Sequence, residues 1–507
     1  MHAQPLDPAD SSWVAKWARA GVGGEVNALW LSGDSLFIGG DFSMTIDNRR
    51  FNDLVVLRLS DTSWHDINYR GDESGSDVYA LARSEKTGVL YVGGDFDEYN
   101  GDTTYQHLIQ WDGSTWQTLS GIRDSVNGPV HDIVIRSGLW SGPDEPDEII
   151  IGGEFTEVDG QSAEGIARFT DGIGWDDMGA NLGRLSSNAI VYDMDIRNST
   201  VWVGGRIDLR GADTVANLVS YDFNDDEWSA PDGGPTNGPI RCLDAYGATS
   251  GYDKIVVGGG FTQINDSIEA ARIAIYQTDT EAWTAIDSGL NANVYAVHGR
   301  ETVSTADIIH AGGAFTGTGS IDTLGYFAMW ESATQPTWEP IAGGVDNDVN
   351  AFLLLQNSTM IVGGEFEFTA DSTYVQGVAG LGTADDWHGY GLGPNRDIYD
   401  IYIDENGVRY FVGRFDEIGN RPLEHLAVWG DSLWQPEGDL TDAPQRVLAR
   451  GDTIYLMGSA LTIDGDGYEE VAMWDGTQWS DMNGGLTNGL SQDMAFHPLT
   501  GELYVAG

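Results

Sequence analysis

One position recurs along the chain with side chains that hydrogen-bond, stack or carry charge: Asn27, Tyr79, His131, Tyr192, Arg241, Tyr295, Asn350, Tyr399, Gln445 and Gln492. It is polar or aromatic where packing in a core would favour aliphatic residues. A ligand-facing set of amides, phenols and one guanidinium follows, with Tyr79, His131, Tyr192, Arg241, Tyr295 and Tyr399 as candidate binding residues. The competing use of such side chains is hydrogen bonding within the fold.

Other chemistries have weaker support. The nine histidines have no H-x-x-x-H spacing and no cysteine partners, so a structural zinc site is not expected. Cys242, the single cysteine, excludes an intramolecular disulfide. It falls where other repeats place Ala28, Ala80, Asp132, Asp193, Ala296, Ala351 and Asp400, which reads as a small buried residue rather than part of a copper centre. Calcium takes carboxylate and carbonyl oxygens in loops. Asp464, Asp466 and Glu469 offer such a loop, and Asp95, Asp97, Asn100 and Asp102 a second, against the plain alternative of Asp-Gly turns. No pair of carboxylates can be singled out for glycoside cleavage among 79 acidic residues. No catalytic residue is assigned and no cofactor is expected beyond that candidate calcium.

The elements that would position these residues repeat. An apolar run ends in glycine at Gly40, Gly94, Gly153, Gly205, Gly259, Gly313, Gly364, Gly413, Gly458 and Gly507, about 52 residues apart, and the first seven are Gly-Gly pairs. Two residues later stands Phe42, Phe96, Phe155, Ile207, Phe261, Phe315, Phe366 or Phe415, with Ala460 as the exception. Each unit closes on a tryptophan: Trp64, Trp116, Trp175, Trp228, Trp283, Trp338, Trp387, Trp434 and Trp479. A large ring recurring in one slot is expected when each unit buries it against its neighbour.

Within a unit four short runs rich in β-branched and aromatic residues alternate with Gly, Asp and Asn, for example 78–82, 89–94, 107–111 and 115–119. These read as antiparallel strands. With no helical period between them, the chain reads as all-β: a β-propeller of about ten four-stranded repeats, the last cut short. First strands line the channel of such a fold, which places the recurring polar slot there. The glycine pair then serves close backbone approach or a bulge rather than a phosphate loop, since no helix follows it.

Ten anchors exceed the ~4–8 blades usual for one ring. Residues 1–20 are read as an N-terminal segment with a closing strand at 17–21, and 21–395 as a ring of seven Gly-Gly repeats. The three drifted repeats of 396–507 would start a second ring; one ring of nine or ten blades is the alternative. Glu502–Gly507 stops inside a second strand, so a longer chain is expected.

Charge narrows the partners. With 25 basic and 79 acidic residues the net charge is −54, and Lys16, Lys86 and Lys254 are the only lysines. Such a surface repels phosphate backbones and anionic lipid heads, so nucleic acid is not an expected partner. It suits concentrated salt, where repulsion is screened, or equally an acidic secreted protein. No apolar run is long enough to span a membrane. Met1–Pro5 has the small residues that precede a secretory cleavage site, a hint of export.

The glycine motif followed by aromatic pairs (Trp111 and Trp116, Phe169 and Trp175, Tyr221 and Trp228, Tyr276 and Trp283) resembles the kelch repeats of galactose-oxidase-type propellers. The fuller pattern, with its Leu-Tyr-Val-Gly-Gly-x-Phe and Trp-Asp-Gly segments, is similar to bacterial secreted propellers carrying type IX sorting domains and to the Rax2-like repeats of fungal cortical proteins. The resemblance covers residues 26–507. It bears on fold far more than on function; the scaffold without a convergent catalytic cluster leads to the expectation of a monomeric, extracellular or cell-surface protein that binds protein or polysaccharide through one face without catalysis. A carbohydrate-active lyase or glycosidase is the alternative, with His131, Tyr192, Arg241 and Tyr295 as its first candidates.

Overall fold

The computed structural model describes residues 22–46, 49–60, 62–70, 77–99, 105–119, 126–137, 146–179, 189–207, 217–232, 234–247, 253–302, 306–319, 323–333, 335–355, 359–373, 375–389, 398–404, 406, 408–415, 417–418, 421–429, 433–434, 438–458, 461–468, 470–482, 493–496 and 503–506. They fall in two compact units, one of residues 21–389 and one of residues 1–20 with 390–507. The expected closing strand at 17–21 lies outside the described residues.

All described elements are strands, and nine repeats each fold into an antiparallel sheet whose four strands follow chain order. The second repeat runs Asp77–Arg83, Leu90–Asp95, Leu108–Trp111 and Trp116–Gln117. Its last hairpin turns at Asp112–Gly113, where Gly113 has φ 97° and the Asp112 carboxylate accepts the N–H groups of Ser114 and Thr115, both at 2.8 Å. The unit of residues 21–389 holds seven such sheets among its described residues. Their inner strands are Gly23–Ser32, Asp77–Arg83, Val130–Arg136, Ile190–Arg197, Ile240–Tyr246, Val294–Glu301 and Val349–Leu354, numbered here as sheets 1 to 7.

The first glycine of each pair is the joint between sheets. A Cβ on Gly39 would stand 2.5 Å from a methyl of Val78 in the next inner strand; Gly93 faces Val130 at 2.6 Å, Gly204 faces Ile240 at 2.7 Å, Gly258 faces Val294 at 2.6 Å and Gly312 faces Val349 at 2.5 Å. Gly363 completes the series against Val26 at 2.6 Å, so sheet 7 packs back on sheet 1. No side chain fits at these positions because a branched side chain of the neighbour already fills the space.

Farther out, the phenylalanine after each pair is buried, as Phe96, Phe155, Phe261, Phe315 and Phe366 illustrate, and the core is made of clusters between adjacent sheets. The repeat tryptophans Trp175, Trp228, Trp283, Trp338 and Trp387 are buried, while Trp64 and Trp116 are half-buried. Three indoles also bond across the joint. Nε1 of Trp116, Trp228 and Trp387 donates to the carbonyls of Ile67, Met178 and Ala342 in the preceding repeat, at 2.9, 2.8 and 3.0 Å.

The other unit contains four-stranded sheets opening with Ile398–Ile403 and Arg446–Arg450, and the strand pair Asp493–Phe496 and Leu503–Ala506. The carboxylate of Asp400 accepts the Val447 N–H at 3.0 Å and ties the two inner strands. No helix among the described residues is long and apolar enough to cross a membrane.

Candidate functional site

Opposite each Gly-Gly pair the inner strand carries one residue more than its partner. Val26 pairs with Gly40 and Ala28 with Gly39, leaving Asn27 unmatched; Val78 and Ala80 pair with Gly94 and Gly93, leaving Tyr79. The same shift leaves His131, Tyr192, Arg241, Tyr295 and Asn350. The second glycine permits this bulge, since a Cβ on Gly40, Gly94 or Gly153 would overlap the carbonyl oxygen of Glu25, Asp77 or Pro129 in the bulging strand. A bulge breaks the in-out alternation of a strand, and here it turns the extra residue into the channel.

All seven of these residues line one cavity of about 670 Å³ at the centre of the ring. They form a nearly continuous belt. The rings of Tyr79 and His131 lie 5.2 Å apart and those of His131 and Tyr192 5.4 Å apart. The Arg241 guanidinium carbon is 5.2 Å from the Tyr192 ring centre and 5.9 Å from that of Tyr295. Asn350 Nδ2 donates to Glu25 Oε1 at 2.9 Å and to Asn27 Oδ1 at 3.4 Å, across the joint between sheets 7 and 1.

The rim adds charge. Glu25, Asp348 and Glu365 line the cavity on sheets 1 and 7. Burial, then repulsion from Glu365, Asp77 and Asp41, pushes the Glu25 carboxyl up to about 7. Tyr79 donates to Asp77 at 2.7 Å, and burial with that carboxylate holds its phenol far above the usual range. Burial lowers the His131 pKa although Glu154 lies 3.3 Å from Nε2, so the ring is neutral at neutral pH and can act as donor or acceptor.

Acidic residues one or three positions past the bulge also bond between sheets, a role not read from the sequence. Asp132 accepts the Met194 N–H at 2.8 Å, Asp193 the Leu243 N–H at 2.6 Å, Asp195 the Ala245 N–H at 2.8 Å and Asp244 the Gly299 N–H at 2.7 Å. Burial raises the first three carboxyls, Asp132 to about 6 and Asp195 to about 7. For Asp132 and Asp193 the signal was an aspartate where most other repeats have alanine, a clue outweighed by the general excess of acid. The rim carboxylates escaped notice for the same reason.

Tyr399 does not join this belt. It belongs to the bulged strand Ile398–Ile403 of the other unit and is 40% exposed, because the repeat slot recurs there within a different set of sheets. Gln445 is exposed, and Gln492 lies outside the described residues. Cys242 is buried, its thiol pushed up by burial and its sulfur 3.7 Å from the Val294 carbonyl. Asp464 and Asp466 flank a hairpin tip at which Asp464 and Gly465 have φ 56° and 85°, and the Asp464 carboxylate accepts the Asp439 N–H at 3.0 Å. Glu469 lies outside the described residues, and no group of three metal-ligating side chains occurs among those described.

Residues 146–171, within sheet 3, match a family model described as a domain of unknown function (DUF5122) beta-propeller. No curated protein matches the sequence. Similar solved structures include the extracellular domain of a one-component system from B. thetaiotaomicron, at 12% identity over 95% of this chain and 69% of that one with a TM-score of 0.34. The WD40 propeller domain of Doa1 is similar at 11% identity over 71% and 94% (TM-score 0.38), and the Dos1 propeller at 12% over 80% and 94% (TM-score 0.38). These likenesses extend to propeller architecture and no further.

Proposed function

We propose that this β-propeller is a non-enzymatic binding protein, secreted or at the cell surface, that takes protein or polysaccharide ligands at the bulged face of the seven-sheet ring. The observation that carries the reading is the convergence of seven bulge residues, none of them aliphatic, on one cavity of about 670 Å³. That volume is in the range of ligand pockets, ~300–1,000 Å³. Seven repeats each set aside one side chain from packing, and all seven point to one place. The drifted repeats of 396–507 belong, in this proposal, to a second ring.

The enzymatic alternative rests on His131, Tyr192, Arg241 and Tyr295 meeting in the cavity, a set suited to proton abstraction beside an acidic sugar. The carboxylates Glu25, Asp348 and Glu365 in the same wall oppose it, because they repel a polyanionic chain.

Calorimetric titration of the purified protein with panels of peptides and oligosaccharides tests both. Binding weakened by Tyr192→Ala and Tyr295→Ala is expected. Turnover of any panel member, or binding indifferent to both substitutions, overturns the proposal.

A further inference from the structure

Several cations elsewhere in the ring are ion-paired. Arg136 bonds Glu148 at 2.5 Å, Arg168 bonds Asp176 at 2.8 Å, Arg197 meets Asp253, and Lys254 bonds Asp307 at 2.8 Å. Pairing is expected where acidic residues outnumber basic ones 79 to 25. Arg241 is the cation that lines the cavity. Its guanidinium lies between the rings of Tyr192 and Tyr295 in the cavity wall, with no carboxylate partner among the described residues, and its Nε is buried without a hydrogen-bond acceptor. A buried donor left without an acceptor loses its hydrogen bond to water and gains none in return, so a group held this way awaits one. The planar fork of arginine fits a carboxylate with two parallel hydrogen bonds.

Asp132 and Asp193 also line the cavity but are engaged by the Met194 and Leu243 N–H groups; two and three sheets round the ring from Arg241, three further carboxylates line it. Glu365 and Asp348 on sheet 7 and Glu25 on sheet 1 face the space, and Arg241 is the one Lys or Arg lining it among the described residues. The Asn350 amide, which bonds Glu25, is neutral and cannot balance three carboxylates. An ammonium group would both donate to these oxygens and relieve their mutual repulsion. Between the two poles stand Tyr79, His131, Tyr192 and Tyr295, flat surfaces suited to a short backbone or side chain.

The geometry points to a zwitterionic ligand of short-peptide size, its carboxylate on Arg241 and its ammonium among Glu25, Asp348 and Glu365. This inference rests on the cavity being the binding site and deepens that reading by fixing the ligand class.

The test is calorimetric titration of the full chain with triglycine, N-acetyl-triglycine, triglycine amide and, as an uncharged molecule of similar length, cellotriose. Triglycine is expected to bind, and each capped form to bind about tenfold or more weakly, the loss of one charge-assisted contact. Arg241→Gln should erase the difference between triglycine and its amide while keeping that between triglycine and its acetylated form. Glu25→Gln with Glu365→Gln should do the reverse. If Arg241→Gln fails to fold, Arg241→Lys, which keeps the charge and loses the fork, should retain a reduced preference for the free carboxylate. Equal affinity for the capped and free peptides, or no heat from triglycine at millimolar concentration, overturns the inference. Binding of cellotriose without triglycine also overturns it, yet leaves the cavity as the binding site.

Discussion

Gly363 of sheet 7 receives a methyl of Val26 from sheet 1 just as Gly93 of sheet 2 receives one of Val130 from sheet 3, with built Cβ distances of 2.6 Å in both cases. The joint between the chain-distant sheets is therefore the same as a joint between sequence neighbours. Gly363→Ala and Gly93→Ala should each destabilise by ~1–3 kcal/mol through overpacking. Adding Val26→Ala to the first, or Val130→Ala to the second, should recover part of the loss as a coupling of ~0.5–3 kcal/mol. Denaturant titration measures both cycles; a silent Gly363→Ala would mean that sheets 1 and 7 do not close on each other.

The indole of Trp228 combines burial with a bond to the Met178 carbonyl in the preceding repeat. Trp228→Ala should cost ~3–5 kcal/mol. Trp228→Phe keeps most of the area and loses the bond, so about 1–3 kcal/mol is expected. Trp116→Ala should cost less than Trp228→Ala, because Trp116 is half-buried. Equal losses at both sites, seen in thermal or denaturant unfolding, would contradict a role set by depth.

Asp195 gives the fold a dependence on pH. Its carboxyl is pushed up to about 7, by burial first and then by Asp244, against ~3.9 in an unfolded chain. The folded state thus holds the proton more tightly, and the contribution is complete below about pH 4 and is lost as pH rises through 7. Asp195→Asn cannot titrate and keeps an acceptor for the Ala245 N–H. Its stability relative to the parent should improve by ~2–4 kcal/mol between pH 4 and pH 8. Buried His310 acts in the opposite sense: its pKa is lowered to about 4, by burial first, so its contribution is full above ~6.5 and is lost as pH falls towards 4. Stability curves of Asp195→Asn and His310→Gln against pH, each relative to the parent, check both signs.

Much of this was legible in the chain itself, and the limits have physical causes. Gly94, Phe96 and Trp116 announce their roles because a fold that repeats must solve the same packing problem in each unit, and the solution shows as a period. The polar slot was visible for the same reason, and its convergence on one cavity follows from ring geometry. The bulge was not. A two-against-one pairing is a relation between strands, and Tyr79 looks the same in a regular strand as in a bulged one. Period also misleads where copies belong to different bodies: Tyr399 occupies the slot and lies in the other unit. Unpaired Arg241 could be recognised only once its neighbours were known.

The net charge of −54 predicts a response to salt. Carboxylate repulsion opposes compaction, and raising chloride from ~0.05 M to ~1 M shortens the screening length to ~3 Å. The melting temperature should rise over that range. Calcium should raise it at lower concentration than magnesium if Asp464 and Asp466 bind it; an equal response leaves them as turn residues, and a flat chloride curve rejects adaptation to concentrated salt.

The bulge at each glycine pair also bears on how such a protein changes over generations. Val26 and its counterparts are bound to the joint between sheets, so most substitutions there should destabilise the ring. Asn27 and Asn350 still bond across the joint of sheets 7 and 1, but Tyr79, His131, Tyr192, Arg241 and Tyr295 meet chiefly one another in the cavity. One ring thus offers a set of positions that can be rewritten together while the scaffold stays fixed, and a descendant could acquire a different ligand without relearning how to fold.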